Sequence, residues 1–365
     1  MKIFYDHYAF SYLKFGGISR YISELLKHIP KENWSTSTLV TNNRHIQNSG
    51  LIKTAGFLPK MNFRGKERIM FNLNLPYTRY KLRTEEWDVF HATWFATPYL
   101  NDIKNKPVVV TIHDLIYDVF FKDKDIPYKE KIINMGRKSA ERADKVIAVS
   151  QHTKSDMVRE WGIDEKKIEV IYHGVDKTPK SISSTRIIDN PYIFFAGGGR
   201  SLNKNFEHLV EAFAILSNKY EDLRLVCSGS NFSEAERQLI EHWKIQDKVL
   251  HFYATEQQMA QLYHDALMLV VPSYYEGFGM PILEAMIYDC PVVLSDTSCF
   301  PEIAGDAGIY FDPYNSEEMC TKMELLVEDE STRKQQTERG RQRLNQFSWE
   351  KCTEEHLNLY QSIIK

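Results

Sequence analysis

Short apolar runs alternate with longer amphipathic stretches along the 365 residues of the chain. Each short run has the length of a buried strand, and each longer stretch has the apolar spacing of a helix with one buried face. The pattern predicts six strands in the first half, at residues 2–5, 36–41, 89–92, 108–113, 145–150 and 168–171. It predicts six more in the second half, at residues 192–196, 223–228, 249–252, 267–271, 292–295 and 308–311. Helices are predicted between most of them, for example at residues 18–28, 130–143, 206–218, 233–243 and 256–264.

Strands that alternate with helices predict an α/β fold, in which parallel sheets carry helices on both faces. The chain is longer than one hydrophobic core comfortably serves, so two domains are expected. The polar segment 175–185 contains a proline and suits a linker. We predict a first domain at 1–178 and a second at 179–348, each with about six strands, as in a doubly wound Rossmann-like domain. A capped amphipathic helix is predicted over residues 349–365.

Composition and charge exclude several classes of protein. Apolar residues make up 43% and charged residues 26% of the chain, as in an ordinary globular enzyme. The formal net charge of −3 gives no overall positive field for holding nucleic acid. The five cysteines are odd in number and form no CxxC pair, which favours a reducing compartment over a disulfide framework.

The hydrophobic pattern also bears on membranes. No apolar run of about 18 residues occurs, so no spanning helix is predicted. Asp6 interrupts the first apolar run, whereas a signal peptide needs an unbroken one. We therefore expect a cytoplasmic protein, and contact with a membrane surface stays open because it needs only a local patch.

The most informative segment is 272–286, which directly follows the apolar run 267–271. Gly277 and Gly279 allow a tight loop with room for a ligand, and Pro281 suits the first turn of a helix. The helix should therefore begin near Met280, with its free N–H groups and the positive end of its dipole facing the loop. Such a helix start binds anions such as phosphate.

Two acids flank this anion site. Glu276 lies in the loop, and Glu284 lies about one turn inside the helix. Carboxylates repel phosphate, but they accept hydrogen bonds from the hydroxyl groups of neutral sugars. A ligand with both phosphate and sugar parts explains this combination better than a loop whose acids point only to solvent.

A second glycine-rich segment follows the predicted strand at 192–196. Three adjacent glycines, residues 197–199, permit close approach of a ligand to the backbone. Arg200 can then bind phosphate oxygens as a fork, and Lys204 can add a point charge. The alternative is a polar turn before a surface helix. The segment is not a GxGxxG fingerprint, so a nicotinamide cofactor is not indicated.

The first half offers fewer candidates, all at the ends of predicted strands, where open parallel sheets bind ligands. Gly16 and Gly17 open a helix after the first strand, although a tight turn alone would explain them. His113 ends the fourth strand. A histidine in such a place is often merely packed or solvated, and the role of the neighbouring Asp114 stays open.

These segments resemble the family-four retaining glycosyltransferases of the GT-B fold, of the bacterial polysaccharide and lipopolysaccharide type, over essentially the whole chain. The signature is Glu276 and Glu284 separated by seven residues, with Glu276 opening the run EGFGMP. The resemblance implies two Rossmann-like domains that face a cleft. It also implies that the first domain binds the acceptor, that the second binds the nucleotide sugar, and that the C-terminal helix packs back on the first.

The resemblance also assigns roles to individual residues. Glu284 would bind the ribose of the donor nucleotide, and Glu276 would contact the transferred sugar. Arg200 and Lys204 would stabilise the diphosphate leaving group, and His113 would lie near the transferred sugar. The remaining donor-binding residues would be Gly277, Phe278, Gly279, Met280, Gly199, Gly16 and Gly17.

No metal site is predicted. Asp123 and Asp125 form a DxD pair of the kind that metal-dependent glycosyltransferases of the other major fold use, but no predicted strand ends at them. The twelve histidines show no HxxxH-type pair with a third ligand. We therefore expect a reaction that needs neither a metal ion nor a cofactor beside the nucleotide-diphosphate sugar.

A basic and aromatic stretch, residues 60–83, carries seven cations and one acid, Glu67. Surfaces that bind nucleic acid share this composition, but two halves of the nucleotide-binding type favour a patch that contacts membrane lipid near the acceptor site. A solvated loop and helix face is the alternative.

The sequence thus predicts a retaining, metal-independent hexosyltransferase. It would move mannose or another hexose from a nucleotide-diphosphate sugar to a glycan or lipid-linked acceptor in bacterial surface polysaccharide synthesis. An inverting transferase or epimerase of the same fold is the first alternative, with His113 or Asp114 as its base. A non-catalytic nucleotide-sugar-binding subunit is the second, although it would not need all four charged residues of the donor site.

Overall fold

The computed structural model of the chain describes residues 1–95, 98–197 and 200–364. It divides into two compact units. Unit 1 comprises Met1–Gly174 and Trp349–Lys365, and unit 2 comprises Val175–Ser348. The sequence places the division four residues further along, at residue 178.

Each unit contains a six-stranded sheet in the described part of the chain, and the paired strands are parallel in both sheets. The strands of unit 1 are β1 (Ile3–Tyr5), β2 (Trp34–Thr36), β3 (Val89–Ala92), β4 (Val108–Ile112), β5 (Lys145–Ala148) and β6 (Ile168–Val170). Those of unit 2 are β7 (Tyr192–Phe195), β8 (Arg224–Ser228), β9 (Val249–Phe252), β10 (Met268–Val271), β11 (Val292–Ser295) and β12 (Gly308–Phe311).

Helices connect the strands. Those of unit 1 are α1 (Tyr8–Tyr12), α2 (Gly17–His28), α3 (Arg44–Ser49), α4 (Lys66–Thr84), α5 (Ile116–Val119), α6 (Lys129–Arg142) and α7 (Gln151–Trp161). Those of unit 2 are α8 (Phe206–Ser217), α9 (Glu234–His242), α10 (Glu256–Asp265), α11 (Met280–Ile287), α12 (Phe300–Ala304), α13 (Ser316–Glu328) and α14 (Glu330–Arg343). The last helix, α15 (Trp349–Ile363), belongs to unit 1.

The sheet of unit 1 is buried on both faces. Val108, Val110 and Ile112 of β4 pack into one cluster with α6 and α7, whereas Val109 packs into the other with α2 and α15. Successive side chains of a strand point to opposite faces, so a strand that is covered on both sides reads as a continuous apolar run. This is why the sequence reveals these strands as runs rather than as an alternating pattern.

Strand order defines a switch point in each sheet. Unit 2 has the order β12-β11-β10-β7-β8-β9, and unit 1 has the order β2-β1-β3-β4-β5-β6. The chain proceeds outward in opposite directions from β7 and β10, and likewise from β1 and β3. Loops that follow the two central strands therefore diverge, and the crevice between them is where doubly wound sheets bind ligands.

The predicted fold class is confirmed: the chain folds as two doubly wound α/β units. One predicted strand is misplaced, because 36–41 was expected and Trp34–Thr36 is observed. Beyond Thr36 the backbone leaves the sheet and bonds to the buried amide of Asn74 in α4. The Oδ1 atom of Asn74 accepts from Leu39 N at 2.9 Å and from Val40 N at 3.0 Å. A side chain thus supplies some of the hydrogen bonds that a neighbouring strand would have supplied, and an isolated bridge between Val40 and Ala55 supplies others.

The C-terminal helix α15 is tied to unit 1 by a buried polar network. Tyr360 Oη lies 2.9 Å from Tyr5 Oη and 2.6 Å from His91 Nδ1. His356 Nε2 lies 2.6 Å from Tyr21 Oη. Buried polar groups that are fully hydrogen-bonded fix one arrangement of a core, so this network gives α15 a defined position over α2.

Among the described residues, no helix has both the length and the apolar character needed to cross a membrane.

Five histidines of unit 1 have pKa values that lie well below the ordinary one. Burial disfavours the charged imidazolium. It lowers the pKa of His7 and His113 to about 3 and that of His356 to about 4, and it holds the pKa of His91 and His173 well below the usual range. These rings are therefore neutral in the folded protein near pH 7.

We expect unit 1 to lose stability as the pH falls below about 6.5. There the unfolded chain protonates these histidines and the folded unit does not, so each contributes a loss of up to ~1.4 kcal/mol of unfolding free energy per pH unit. Asp6, whose pKa burial raises to about 6, acts in the opposite sense but is a single group. Five of the six tryptophans lie in unit 1. Thermal unfolding followed by tryptophan fluorescence should show a midpoint that falls steeply from about pH 7.5 to about pH 5; an unchanged midpoint would contradict neutral imidazoles.

Candidate active site

The loop between β10 and α11 turns through a glycine that no other residue can replace without strain. Gly279 has φ +85°, and a Cβ atom there would lie 3.0 Å from Ile282 Cδ1 and 3.2 Å from Phe300 Cε1. Helix α11 begins at the next residue, Met280, and has Pro281 in its first turn. The loop therefore leads directly into the start of a helix, as the sequence predicts, at the carboxyl end of a central strand.

An ion pair crosses the switch point of unit 2. Lys204 Nζ, in the segment that follows β7, contacts Glu276 Oε1, in the loop that follows β10. The Lys204 side chain is 27% exposed and that of Glu276 is 20% exposed, so both charges are half-buried but open to solvent. The structure thus brings together two of the residues that the sequence proposes for the site.

Two serines hold Glu276 in place. Ser273 Oγ donates to Glu276 Oε1 at 3.1 Å. Ser298 binds the backbone of Glu276 twice, because its Oγ accepts from Glu276 N at 3.0 Å and donates to Glu276 O at 2.6 Å. Ser298 itself has φ +56°, a conformation that is rare for a residue with a side chain. The carboxylate is therefore oriented from both its backbone and its side chain.

Glu284 is oriented by a tyrosine of the preceding helix. Tyr263 Oη, on α10, donates to Glu284 Oε2 at 3.0 Å. The Tyr263 ring is buried and packs edge-to-face on Phe194 of β7, with a centroid distance of 5.0 Å. Glu284 is half-buried and lies about one turn inside α11, as predicted.

The Arg200 guanidinium faces α9. Its Nε donates to Glu236 Oε1 at 2.7 Å, and the side chain is only 2% exposed. Arg200 and Lys204 are therefore held by different acids, Glu236 and Glu276. Gly199, the predicted donor-binding glycine before Arg200, lies outside the described residues.

Gly16 and Gly17 lie at the start of α2 in unit 1. Gly16 has φ +151° and precedes the first turn. A Cβ atom at Gly17 would meet nothing within 4 Å, so no packing within unit 1 requires glycine there.

The predicted His113 packs edge-to-face against two rings, those of Tyr21 and His173, which stack on each other. Its centroid is 5.2 Å from that of Tyr21 and 5.6 Å from that of His173. Burial lowers its pKa to about 3, so the ring is a weak base. The neighbouring Asp114 accepts from Ile116 N at 3.1 Å and thereby stabilises the turn that leads into α5.

The DxD pair lies on the surface. Asp123 and Asp125 are both exposed. No group of three or more metal-ligating side chains occurs within residues 1–95, 98–197 and 200–364.

Comparison with known proteins identifies the family. The profile of the Glycosyl transferases group 1 matches residues 177–343, and that of Glycosyltransferase Family 4 matches residues 15–178. The two matches adjoin and together cover almost the whole chain. The chain belongs to glycosyltransferase family 4.

Named relatives agree with this assignment. The glycosyltransferase is 29% identical over 289 residues to O-antigen chain mannosyltransferase B of Escherichia coli. The matched region covers 74% of each chain. It is 27% identical over 246 residues to O-antigen chain mannosyltransferase RfbU of Salmonella typhimurium, covering 64% of this chain and 68% of the relative.

Solved structures confirm the GT-B fold of the glycosyltransferase. Sucrose-phosphate synthase of Thermosynechococcus elongatus has a TM-score of 0.79 at 19% identity and is matched over 99% of both chains. Anabaena Alr3699/HepE, solved in complex with UDP and glucose, has a TM-score of 0.78 at 18% identity, with 99% of this chain and 100% of that chain covered.

Several residues around the site are not predicted from the sequence. Ser298 and Tyr263 reach the site from elements that lie far along the chain, and neither stands in a recognisable motif. Glu236 does stand in one, because Ser233 and Glu236 have the spacing of a helix-capping box. That motif predicts a helix start, and it gives no sign that the same carboxylate binds Arg200.

A further missed group lies at the switch point of unit 1. Asp6 follows β1, and its Oδ1 accepts from Thr93 N, which follows β3, at 3.2 Å. Half-buried aromatic rings adjoin this contact: the Tyr8 centroid is 5.8 Å from that of Trp94 and 5.0 Å from that of Tyr12, and both pairs are stacked. Stacked rings at a switch point form a surface suited to a ligand with apolar faces.

Proposed function

We propose that this glycosyltransferase transfers a hexose, mannose in the first instance, from a nucleotide-diphosphate sugar to a glycan or lipid-linked acceptor. We propose further that the anomeric configuration is retained, that no metal ion is needed, and that the reaction serves surface polysaccharide synthesis on the cytoplasmic side of a bacterial membrane. The choice of mannose is supported by the names of the O-antigen relatives.

The observation that carries the proposal is the Lys204–Glu276 pair at the switch point of unit 2. It sets a cation and a carboxylate side by side, next to the start of α11. The cation and the helix start suit a diphosphate, and the carboxylate suits sugar hydroxyl groups. Glu284, one turn inside the helix, suits the hydroxyl groups of a ribose.

Binding of the donor would change the partner of Lys204. In the structure the charge of Lys204 is balanced by Glu276. A diphosphate that takes over Lys204 releases Glu276 toward the transferred sugar, so binding of the phosphate and presentation of the carboxylate are coupled. As the bond to the sugar breaks, negative charge grows on the leaving phosphate, and a cation already held there stabilises that transition state.

Unit 1 would bind the acceptor. Gly17 leaves open space at the start of α2, and the rings of Tyr8 and Trp94 offer a surface for an acceptor sugar.

Unit 1 offers no strong candidate for a catalytic base among His113 and Asp114. A base with the low pKa of His113 removes a proton poorly at neutral pH, and Asp114 is engaged in a turn. Both observations favour retention, in which the leaving phosphate takes the acceptor's proton, over an inverting reaction with a dedicated base.

The test is a panel of donors with product analysis. The protein is incubated with GDP-mannose, UDP-glucose or UDP-galactose and with mannosyl acceptors, in excess chelator. We expect GDP-mannose to be consumed fastest, chelator to leave turnover nearly intact, and the proton spectrum of the product to show the α-anomer, as in the donor.

Each alternative gives a different result. A β-linked product would identify an inverting enzyme. Activity that chelator abolishes and magnesium restores would refute metal independence. Nucleotide binding without turnover of any donor would favour a non-catalytic subunit.

Peripheral contact with the membrane is supported by the exposed face of α4. Ile69, Leu73 and Tyr80 are 45%, 47% and 62% exposed, and their spacing places them on one side of the helix. Two of the seven cations of the basic stretch point inward: Lys66 Nζ donates to Leu58 O and Met61 O, and Lys81 Nζ donates to Thr36 O. The exposed cations are Lys60, Arg64, Arg68, Arg79 and Arg83. An apolar strip flanked by cations suits anionic lipid.

Replacement of Arg64, Arg68 and Arg83 by serine should weaken binding to vesicles that contain anionic lipid. Each cation near such a surface contributes about 1 kcal/mol, so we expect a loss of about 100-fold at low salt, measured by vesicle sedimentation. Lys131, Arg137 and Lys138 on α6, also replaced by serine, provide a control with the same change of charge on another helix. Equal binding by the two triple variants would contradict a role for α4.

A further inference from the structure

Arg200 is enclosed by unit 2 on several sides. Its guanidinium carbon lies 4.7 Å from the ring centroid of Phe232 and 5.5 Å from that of Phe206. Nε donates to Glu236 Oε1, and Nη2 donates to the backbone oxygen of Ser230. The two rings stack on each other with a centroid distance of 5.8 Å, so the guanidinium packs against one side of this pair. A planar guanidinium that packs against rings and is bonded along one edge has a fixed orientation.

Glu236 has both carboxylate oxygens engaged. Oε1 accepts from Arg200, and Oε2 accepts from Ser233 N at 2.6 Å as part of the capping box of α9. Burial raises the pKa of this carboxyl, but the hydrogen bonds from Ser233 and Arg200 outweigh it and leave the pKa below the ordinary value. Glu236 therefore links the start of α9 rigidly to the Arg200 side chain.

The third nitrogen of the Arg200 guanidinium, Nη1, takes part in neither of these hydrogen bonds. Nη1 is buried and has no hydrogen-bond partner among the residues that the structure describes. A buried, charged donor without a partner is costly and uncommon in a folded protein. Such a group calls for a ligand atom, and the ligand that suits a guanidinium N–H is an anion oxygen.

We propose that Glu236 is a positioning residue that fixes Arg200 so that Nη1 donates to a diphosphate oxygen of the donor; this rests on the proposed function. Glu236 does not touch the ligand. It neutralises the guanidinium and holds its Nε edge, so that the Nη1 edge is already oriented when the anion arrives. Preorganisation of this kind lowers the cost of binding, because less side-chain freedom is lost.

Simple electrostatics and the positioning role predict opposite changes in anion affinity for the substitution Glu236→Gln. Glu236→Gln removes a negative charge close to an anion site, which by Coulomb attraction alone should tighten the binding of an anion. Glutamine still suits a capping box, but Arg200 Nε and Ser233 N contact different oxygens of Glu236, and a glutamine has an oxygen at only one of these two places. If that oxygen stays with Ser233 N, the amide NH₂ group faces Arg200 and cannot accept from it. The guanidinium then loses its fixed orientation, so positioning predicts weaker binding.

The experiment is calorimetric titration of the full-length protein with GDP, UDP, ADP, CDP and dTDP. For the nucleotide that the parent binds, we expect Glu236→Gln to weaken affinity by about 10- to 100-fold, the range for a hydrogen bond to a charged group. Glu234→Gln is the matched control, because Glu234 lies on the same helix, is exposed and pairs with Arg237. Ser233→Ala is the second control, because it removes the capping hydroxyl without touching Arg200. Both should stay within about twofold of the parent.

A double-mutant cycle that combines Glu236→Gln with Arg200→Gln shows whether Glu236 acts through Arg200. We expect Glu236→Gln to add no further loss in that background. Unchanged or tighter binding by Glu236→Gln in the parent background overturns the proposal, as does an equal loss in the Arg200→Gln background.

Thermal unfolding of each variant shows whether the fold is intact. A loss of affinity that Ser233→Ala reproduces in full marks the role of Glu236 as structural and also overturns the proposal. A parent protein that binds none of the nucleotides overturns the proposed function itself, and with it the role of Glu236.

Discussion

Neighbouring strands β7 and β10 are parallel, and the loops that follow them diverge. Asn203 joins the two loops through hydrogen bonds with Tyr274 N and Tyr275 O, and the ion pair between Lys204 and Glu276 brings opposite charges together at the same place. The elements around it serve to fix its acidic member, through Ser273 on one side and Ser298 on the other. The start of α11 is set by the same loop, since Gly279 turns the chain three residues after Glu276. The fold thus dictates where the opposite charges meet.

The partial exposure of this pair matters for function. Fully exposed ion pairs contribute little to stability, and fully buried ones are hard to separate. A half-buried pair lies between these limits. An incoming anion can therefore compete for the cation without the large desolvation cost of burying its own charge deeply. Arg200 contrasts with Lys204, because its pair with Glu236 is enclosed. We infer a site with one exchangeable cation and one fixed cation.

The sequence predicts the strands well and the side-chain partners poorly, for physical reasons. Strands covered on both faces need continuous apolar runs, which are visible without a structure. The spacing of Glu276 and Glu284 is local, so it too is visible. The end of β2 is not, because it depends on the amide of Asn74, about 35 residues further on. The partner of Arg200 is likewise set by how α9 packs on the sheet, and no local pattern encodes it.

A double-mutant cycle on Lys204 and Glu276, read out by calorimetric binding of the preferred nucleoside diphosphate, tests the central claim most directly. If the diphosphate takes Lys204 from Glu276, Glu276→Gln frees the cation and should tighten binding by about 3- to 5-fold, the range for a partly exposed ion pair. Lys204→Met should weaken binding, and in that background the gain from Glu276→Gln should shrink, because no cation remains to be released. A gain that is equal or larger in the Lys204→Met background would show that Glu276 merely repels the phosphate. Weaker binding by Glu276→Gln alone would contradict the exchange outright.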